Sequence, residues 1–228
     1  MTDLVYPLGT GSQLNDWEIR YSLRSVEKNL SGVGKVFIVG NLPPFLTNVI
    51  HLPAEDIHQV PDKNILHKLK IVCNHPDISE NFLSLNDDHY LLGVFNAGTF
   101  PYHYHGTIDE YIARRGHDTY RLRVGESNKF LKQKGKPNKY FDIHYPILYN
   151  KKAFLEIFEQ TDPNNKWGYV IKSIYANMMD IEGVPATDAK HDKTPIKSVS
   201  VFSTSPRVSA ATARFLQEQF PNKSKYEL

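Results

Sequence analysis

The sequence predicts an α/β fold with a mostly parallel central sheet flanked by helices, and three observations carry that prediction. Short apolar runs of strand length alternate with helical patterns over the opening ninety residues. The first forty residues already complete a strand, loop, helix and strand at a spacing that suits a crossover in a parallel sheet. The apolar run Phe82-Leu83-Ser84-Leu85 then stops on Asn86-Asp87-Asp88, which sets negative charge at the carboxyl edge of the sheet, where open α/β folds bind ligands.

The first strand is Asp3 to Leu8, followed by the loop Gly9-Thr10-Gly11-Ser12. Asn15 or Asp16 can cap the next helix, with Glu18 placed as in a capping box and Ile19, Leu23, Val26 and Leu30 as the apolar stripe. Arg20 and Arg24 share a face of that helix. Lys35 to Gly40 is a second strand, Asn48 to Leu52 a short third one, and Asp62 to Val72 a helix that Pro76 stops. The organising strand follows.

At 228 residues and 40% hydrophobic composition, the chain can bury a full core and is expected to be one domain. Cys73 is the only cysteine, so no intramolecular disulfide forms, and its apolar surroundings make it a core thiol rather than a nucleophile. Without a signal-peptide pattern or a run of roughly 18 apolar residues, a cytoplasmic location is expected. No Gly-x-Gly-x-x-Gly fingerprint or Walker lysine motif follows the first strand, which argues against a dehydrogenase or a P-loop kinase.

The net charge of +2 hides an uneven distribution. Residues 1–113 carry seven Lys/Arg against thirteen Asp/Glu, whereas residues 114–152 carry eleven against three. Such a basic segment reads as a solvated loop or as a footprint for an anionic partner. Beyond it, Asp142 to Tyr149 is strand-like, Lys151 to Gln160 and Trp167 to Met178 are core-packing helices, Val184 to Lys193 is a polar loop, Ser198 to Ser203 is a strand, and Ser209 to Gln219 is a last helix.

Several residue types suit chemistry. Asp87 and Asp88 can share a divalent cation, since hard cations prefer oxygen ligands; the competing reading is an ordinary turn. His103 and His105 would share a strand face, but two ligands are too few for a site. His144 is either a structural histidine or a general base on the acceptor side.

Read together, Glu18-Ile19-Arg20-Tyr21-Ser22-Leu23-Arg24-Ser25, Lys35-Val36-Phe37-Ile38-Val39 and Ile78-Ser79-Glu80-Asn81-Phe82-Leu83-Ser84-Leu85-Asn86-Asp87-Asp88 resemble the Stealth-type sugar-phosphate transferases and related small glycosyltransferases of bacteria and phages. Asp142-Ile143-His144-Tyr145-Pro146 looks like a later block of the same family, and the ending Phe220 to Glu227 like the tails of phage-associated relatives. The resemblance implies a GT-A-like fold with a donor-binding half (1–92) and an acceptor-side half (93–228). It also implies a nucleotide-sugar donor and Mn²⁺ or Mg²⁺ held by a variant Asp-x-Asp motif. Metal ligands would be Asp87, Asp88 and a residue of the late loop, His191 or Asp188. Tyr6, Arg20, Lys63, Asn86, Asp87 and Lys190 would contact the donor, with surface-charge roles open to Arg20 and Lys63, and His144 would be catalytic.

The opening Tyr6-Pro7-Leu8-Gly9 lacks the Trp and Asp of the Stealth motif, which favours glycosyl transfer over hexose-1-phosphate transfer. The acceptor would be a glycan or, given the basic segment, hydroxymethylated phage DNA. A non-enzymatic nucleic-acid-binding protein is the alternative of another class.

Overall fold

A computed structural model of the chain describes residues 1–114, 116–190, 199–205 and 208–228. In chain order the elements are β1 (Thr2–Leu8), α1 (Trp17–Asn29), β2 (Leu30–Ser31), β3 (Val33–Gly40), β4 (Ile50–Leu52), α2 (Pro61–Asn74) and β5 (Asn81–Ser84). They continue with β6 (His89–Leu91), β7 (Phe95–Asn96), β8 (His103–Tyr104), α3 (Ile108–Arg114), α4 (Thr119–Gln133) and β9 (Ile147–Asn150). The last are α5 (Lys151–Phe158), α6 (Ile171–Met178), β10 (Val184–Pro185), β11 (Val201–Ser203) and α7 (Ala210–Gln219).

The central sheet has the order β4-β3-β1-β5-β9, parallel from β4 to β5 and antiparallel at β9. The α/β class with a mostly parallel sheet is therefore the observed one. Successive strands run outward from β1 to β3 and β4, after which the chain crosses back to add β5 on the other side of β1. That reversal makes the gap between the carboxyl ends of β1 and β5 the place where such sheets open a crevice. Pairing of β1 with β5 ends at Val5 and Ser84, while β1 stays paired with β3 as far as Leu8 and Gly40.

Period-two alternation decides what each side chain faces. Leu4, Tyr6 and Leu8 of β1 join Ile38, Leu83 and the Ile19, Leu23 and Val26 stripe of α1 in one core. Val5, Phe37, Val39 and Phe82 point to the opposite face, where α2, α5 and α6 supply Leu69, Val72, Phe154, Phe158 and Ile174. Cys73 is buried in this second core, where desolvation pushes its thiol up to about 12, in keeping with an inert packing role. Lys68 is buried, and its Nζ donates to the carbonyl of Leu8 and to Asp56 Oδ1, each at 2.6 Å. Gly40 has a φ of 112° and lies so close to that carbonyl that a Cβ there would collide with it. Together they fix the carboxyl edge of β1.

Local structure departs from expectation in several places, among them the expected helix from Trp167, which starts only at Ile171. Asp16 precedes α1 in a left-handed conformation without a side-chain cap, and Glu18 instead accepts a hydrogen bond from Ser12 Oγ. The basic segment contains the 15-residue helix α4, capped by Asp118 Oδ1 accepting from the Arg121 N–H; its inward face is Val124, Ser127 and Leu131, so its charges concealed a real stripe. Residues 142–146 are irregular, and only Ile147–Asn150 of that run is a strand. Of the expected strand 198–203, Ser198 lies outside the described residues and β11 pairs with β6 rather than the main sheet.

The C-terminal tail closes over α1. Glu227 has a fully buried side chain that receives Arg24 through two hydrogen bonds of 2.8 Å and Arg20 through one of 3.3 Å. Burial opposes its ionisation, but Arg24 and the Ser224 N–H hold its carboxyl down at about 2. Stability from this depressed carboxyl is complete above the unfolded value near 4.5 and is lost as pH falls toward 2. Glu227→Ala, which leaves Arg24 facing an empty pocket, is expected to destabilise the fold by about 3 kcal/mol at pH 7, and less near pH 3, in urea titrations.

Candidate functional site

Two cavities meet at the carboxyl edge of the sheet. The larger, about 510 Å³, lies on the α2 face and is floored by Pro7, Ser84 and Asn86. The smaller, about 310 Å³, lies beyond the loop after β1 and is lined by Gly9, Gly11, Ser12, Glu18, Asp87 and Asp88 among others. Alternation along β5 explains the division: Ser84 and Asn86 continue the Phe82 side, and Asp87 turns to the other. Asn86, His144 and Lys190 line both cavities and form the wall between them.

The acid turn is held from below. His89 is fully buried, and its backbone N–H donates to the Asn86 carbonyl while its Nδ1 accepts the Asn86 N–H. Burial, reinforced by the charge of nearby Lys172 and Lys190, keeps this imidazole well below its usual range and therefore neutral. With Nδ1 accepting, its proton sits on Nε2, which has no hydrogen-bond partner among the described residues. Ser22 Oγ donates to the His89 carbonyl at 2.7 Å, and Ser25 Oγ accepts from the Leu91 N–H at 2.9 Å, so α1 clamps β6 directly after the turn.

Asp87 and Asp88 do not share this space comfortably. Desolvation, then the neighbouring Asp88 and Glu18 carboxylates, push the Asp87 carboxyl up to about 7. Ser203 Oγ, on β11, donates to Asp88 Oδ2 at 2.8 Å. Among the described residues no group of three or more acids, histidines or cysteines forms a metal cage. The donor set nonetheless fits a magnesium-type ion, which takes one or two protein carboxylates and leaves the rest of its shell to phosphate oxygens and water. His191 lies outside the described residues.

Across the shared wall, Asp188 Oδ1 accepts both the backbone N–H of His144, at 3.0 Å, and its Nδ1, at 2.8 Å. Burial works against the Asp188 carboxylate, but these bonds and the Lys190 N–H outweigh it and hold it at about 2. The opposite ring nitrogen, Nε2, lies 3.5 Å from Lys190 Nζ. With Nδ1 donating to the Asp188 carboxylate, the lone pair of the neutral ring is on Nε2, the nitrogen that faces Lys190. The larger cavity continues with Tyr111 stacked on Tyr140 at 4.4 Å, a 3.0 Å contact between the Tyr120 and Tyr140 hydroxyls, and Asp142. Asp142 accepts from the N–H groups of Lys172 and Ser173 at the start of α6.

The structure thus brings together Asn86, Asp87, Asp88, His144 and Lys190 and keeps three expected donor contacts apart from them. Tyr6 is fully buried under α1, with its hydroxyl 3.0 Å from Ser22 Oγ, because its parity on β1 is opposite to that of Pro7. Arg20 is paired with Glu227 and stacked 3.4 Å over Phe45. Lys63 lines a different cavity on the outer side of α2. His103 stacks on Tyr145 at 4.2 Å and His105 Nδ1 meets the Ala186 carbonyl, so the two histidines do not converge. The tyrosines and Asp142 went unassigned in the sequence; the turn after α4 is what folds Tyr140 and Asp142 back toward Tyr111 and Tyr120.

The raised Asp87 carboxyl has a consequence for stability. Its folded-state proton is the one the unfolded chain releases near pH 4, so the stability it contributes is complete below that value and is lost as pH rises through about 7. Asp87→Asn is therefore expected to raise the melting temperature at pH 8 without divalent cations, on the order of 5 °C, and to leave it unchanged near pH 3.5. Thermal unfolding across that pH range in a chelating buffer measures the difference.

No protein-family model matches the chain, and no curated protein sequence matches it. Among solved structures, mouse xyloside xylosyltransferase 1 in its apo form is similar at 10% identity and a TM-score of 0.41, over 79% of this chain and 82% of that one.

Proposed function

We propose that the protein is a metal-dependent glycosyltransferase of GT-A type that moves a sugar from a nucleotide-sugar donor to an acceptor hydroxyl. The observation that carries this reading is the pairing of two adjoining cavities across His144: one lined by Asp87, Asp88 and a glycine loop at the sheet's carboxyl edge, the other lined by tyrosines. The smaller cavity receives the donor diphosphate, with Asp87 and Asp88 as the carboxylates that hold Mn²⁺ or Mg²⁺. When bound, the cation supplies charge neutralisation for the departing nucleoside diphosphate.

The remaining roles belong to the chain itself. Asp188 fixes the His144 ring so that Nε2 presents its lone pair between the cavities. An acceptor hydroxyl that replaces Lys190 there gives its proton to Nε2 as its oxygen bonds the anomeric carbon and the bond from that carbon to the diphosphate breaks. Lys190, freed from the ring, lies beside the smaller cavity with its ammonium available to the leaving phosphate. Tyr111 and Tyr140 offer ring faces to a sugar, and Asp142 offers acceptor oxygens to its hydroxyls. The Asp87 titration adds a condition: cation binding strengthens as pH rises through about 7, because the metal competes with the proton.

Thermal shift with nucleoside diphosphates tests the reading. Near 100-fold excess over Kd, one of them should stabilise the protein by about 2.7 kcal/mol when Mn²⁺ is present, and Asp88→Ala should abolish the shift. Stabilisation that is indifferent to the metal would falsify it. Once a donor is known, His144→Ala is expected to lower kcat by about 10²–10⁴-fold while leaving nucleoside diphosphate binding intact. Release of nucleoside monophosphate instead of diphosphate would mark the hexose-1-phosphate transferase alternative.

A further inference from the structure

Helix α2 has two working faces. Asp62, Ile65 and Leu69 line the large cavity described above. The adjacent face carries Lys63, His67 and Lys70, at intervals of four and three residues, so they form a single row about 10 Å long. This row borders two depressions, of about 210 and 460 Å³, which share His67 and Lys70. Among the described residues, the side chains of these three make no ion pair or hydrogen bond, in contrast to buried Lys68 on the same helix.

The row is also shaped. Gly168 has a φ of 74°, and a Cβ placed there would come within 3.2 Å of Lys63 Cγ, so the bare glycine lets the lysine stem lie across the 165–168 turn. Tyr169 and Thr161 form the opposite wall. Two carboxylates are nearby. Asp162 Oδ1 accepts the Asn164 N–H, and Asp62 is ion-paired with Arg123, whose Nε also donates to the Trp167 carbonyl. Asp62 lines both the 210 Å³ depression and the large cavity, so the two spaces adjoin at a carboxylate already neutralised by its arginine.

We propose that this outer face of α2 is a second binding site, for an anionic glycan chain whose carboxylate or phosphate groups lie along Lys63, His67 and Lys70 and whose end passes Asp62 into the tyrosine-lined cavity. The role as an acceptor rests on the glycosyltransferase reading; the anion site itself does not. A row of 10 Å matches two or three anionic groups. Nucleic acid calls for a larger basic surface than this row, and in the basic segment Lys132 pairs with Asp109, Lys136 with Asp180, and Lys139 donates to the Glu182 carbonyl.

Calorimetric titration of the full-length protein with a galacturonate hexamer, its methyl ester, tripolyphosphate and a 12-nucleotide single-stranded DNA tests the proposal. The hexamer should bind at 50 mM salt, weaken as salt rises, and bind at least tenfold more weakly to the Lys63→Gln, Lys70→Gln double variant, while Lys129→Gln on α4 leaves it unchanged. Tripolyphosphate binding lost in the same variant supports the site and assigns phosphate as its anion. Equal affinity for the methyl ester, or undiminished binding by the double variant, overturns it. DNA bound more tightly than either anion and lost in the double variant also overturns it, in favour of a nucleic-acid surface. The Mn²⁺-dependent nucleoside diphosphate shift, measured on the same double variant, separates the two ideas: its presence without hexamer or tripolyphosphate binding sinks the groove alone.

Discussion

Crowding of negative charge at the end of β5 is the constraint on which the rest of the molecule depends. Asp87 sits beside Asp88 and shares a cavity with Glu18, and both of these carboxylates raise its own carboxyl. An isolated turn with that sequence would relax into solvent. Here it is prevented from doing so by neutral groups: His89 closes the turn from beneath, Ser22 and Ser25 tie the following strand to α1, and Ser203 donates to Asp88. None of these partners carries a compensating positive charge. The fold therefore rigidifies the carboxyl groups without giving them a basic partner in these contacts, unlike the ion pair of Arg24 with Glu227; the proposed cation would supply the missing charge.

Much of the fold was legible because it depends on local period. Residues 3–8, 35–40 and 82–85 alternate cleanly between two cores, and the helices between them carry their own stripes. The position of the acid pair just after β5 was legible for the same reason, since strand length sets where β5 stops. What failed was long-range. Tyr6 looked like a donor contact because it is near a strand end, yet one residue of parity places it beneath α1 rather than in the crevice. Arg20 is held by Glu227, 207 positions away, a partner that no window along the chain contains. The bond between Asp188 and His144 spans 44 positions and turns a loop residue into the group that fixes the imidazole tautomer; the sequence offered Asp188 only as an alternative metal ligand.

Charge taught a similar lesson in reverse. Residues 114–152 are the most basic part of the chain, and a linear count suggests an electrostatic footprint. In three dimensions part of that charge is met internally: Arg123 pairs with Asp62, Lys132 with Asp109 and Lys136 with Asp180, while Arg121 and Lys151 are tied to backbone carbonyls. Residues 1–113 are acidic in sum, yet α2 within them presents Lys63 and Lys70 with no such partners among the described residues. Field at a surface follows unpaired charges rather than composition, so the acidic part of the chain carries the cationic row.

His144 rather than His89 has the surroundings that suit the proposed handling of a proton. His89 is buried and its Nδ1 is committed to a backbone N–H; protonating it would put a cation beside Lys172 and Lys190 with no solvent to screen it. His144 is partly exposed, and its Nδ1 faces a carboxylate held ionised at about 2. A proton arriving on Nε2 there creates an imidazolium already paired with Asp188, so the cost of the charge is offset before it forms. Lys190, 3.5 Å from Nε2, opposes that charge, and in the proposed reaction the acceptor hydroxyl displaces it. On the proposed glycosyltransferase reading, proton uptake at His144 is coupled to displacement of Lys190, which lines both cavities and so links them.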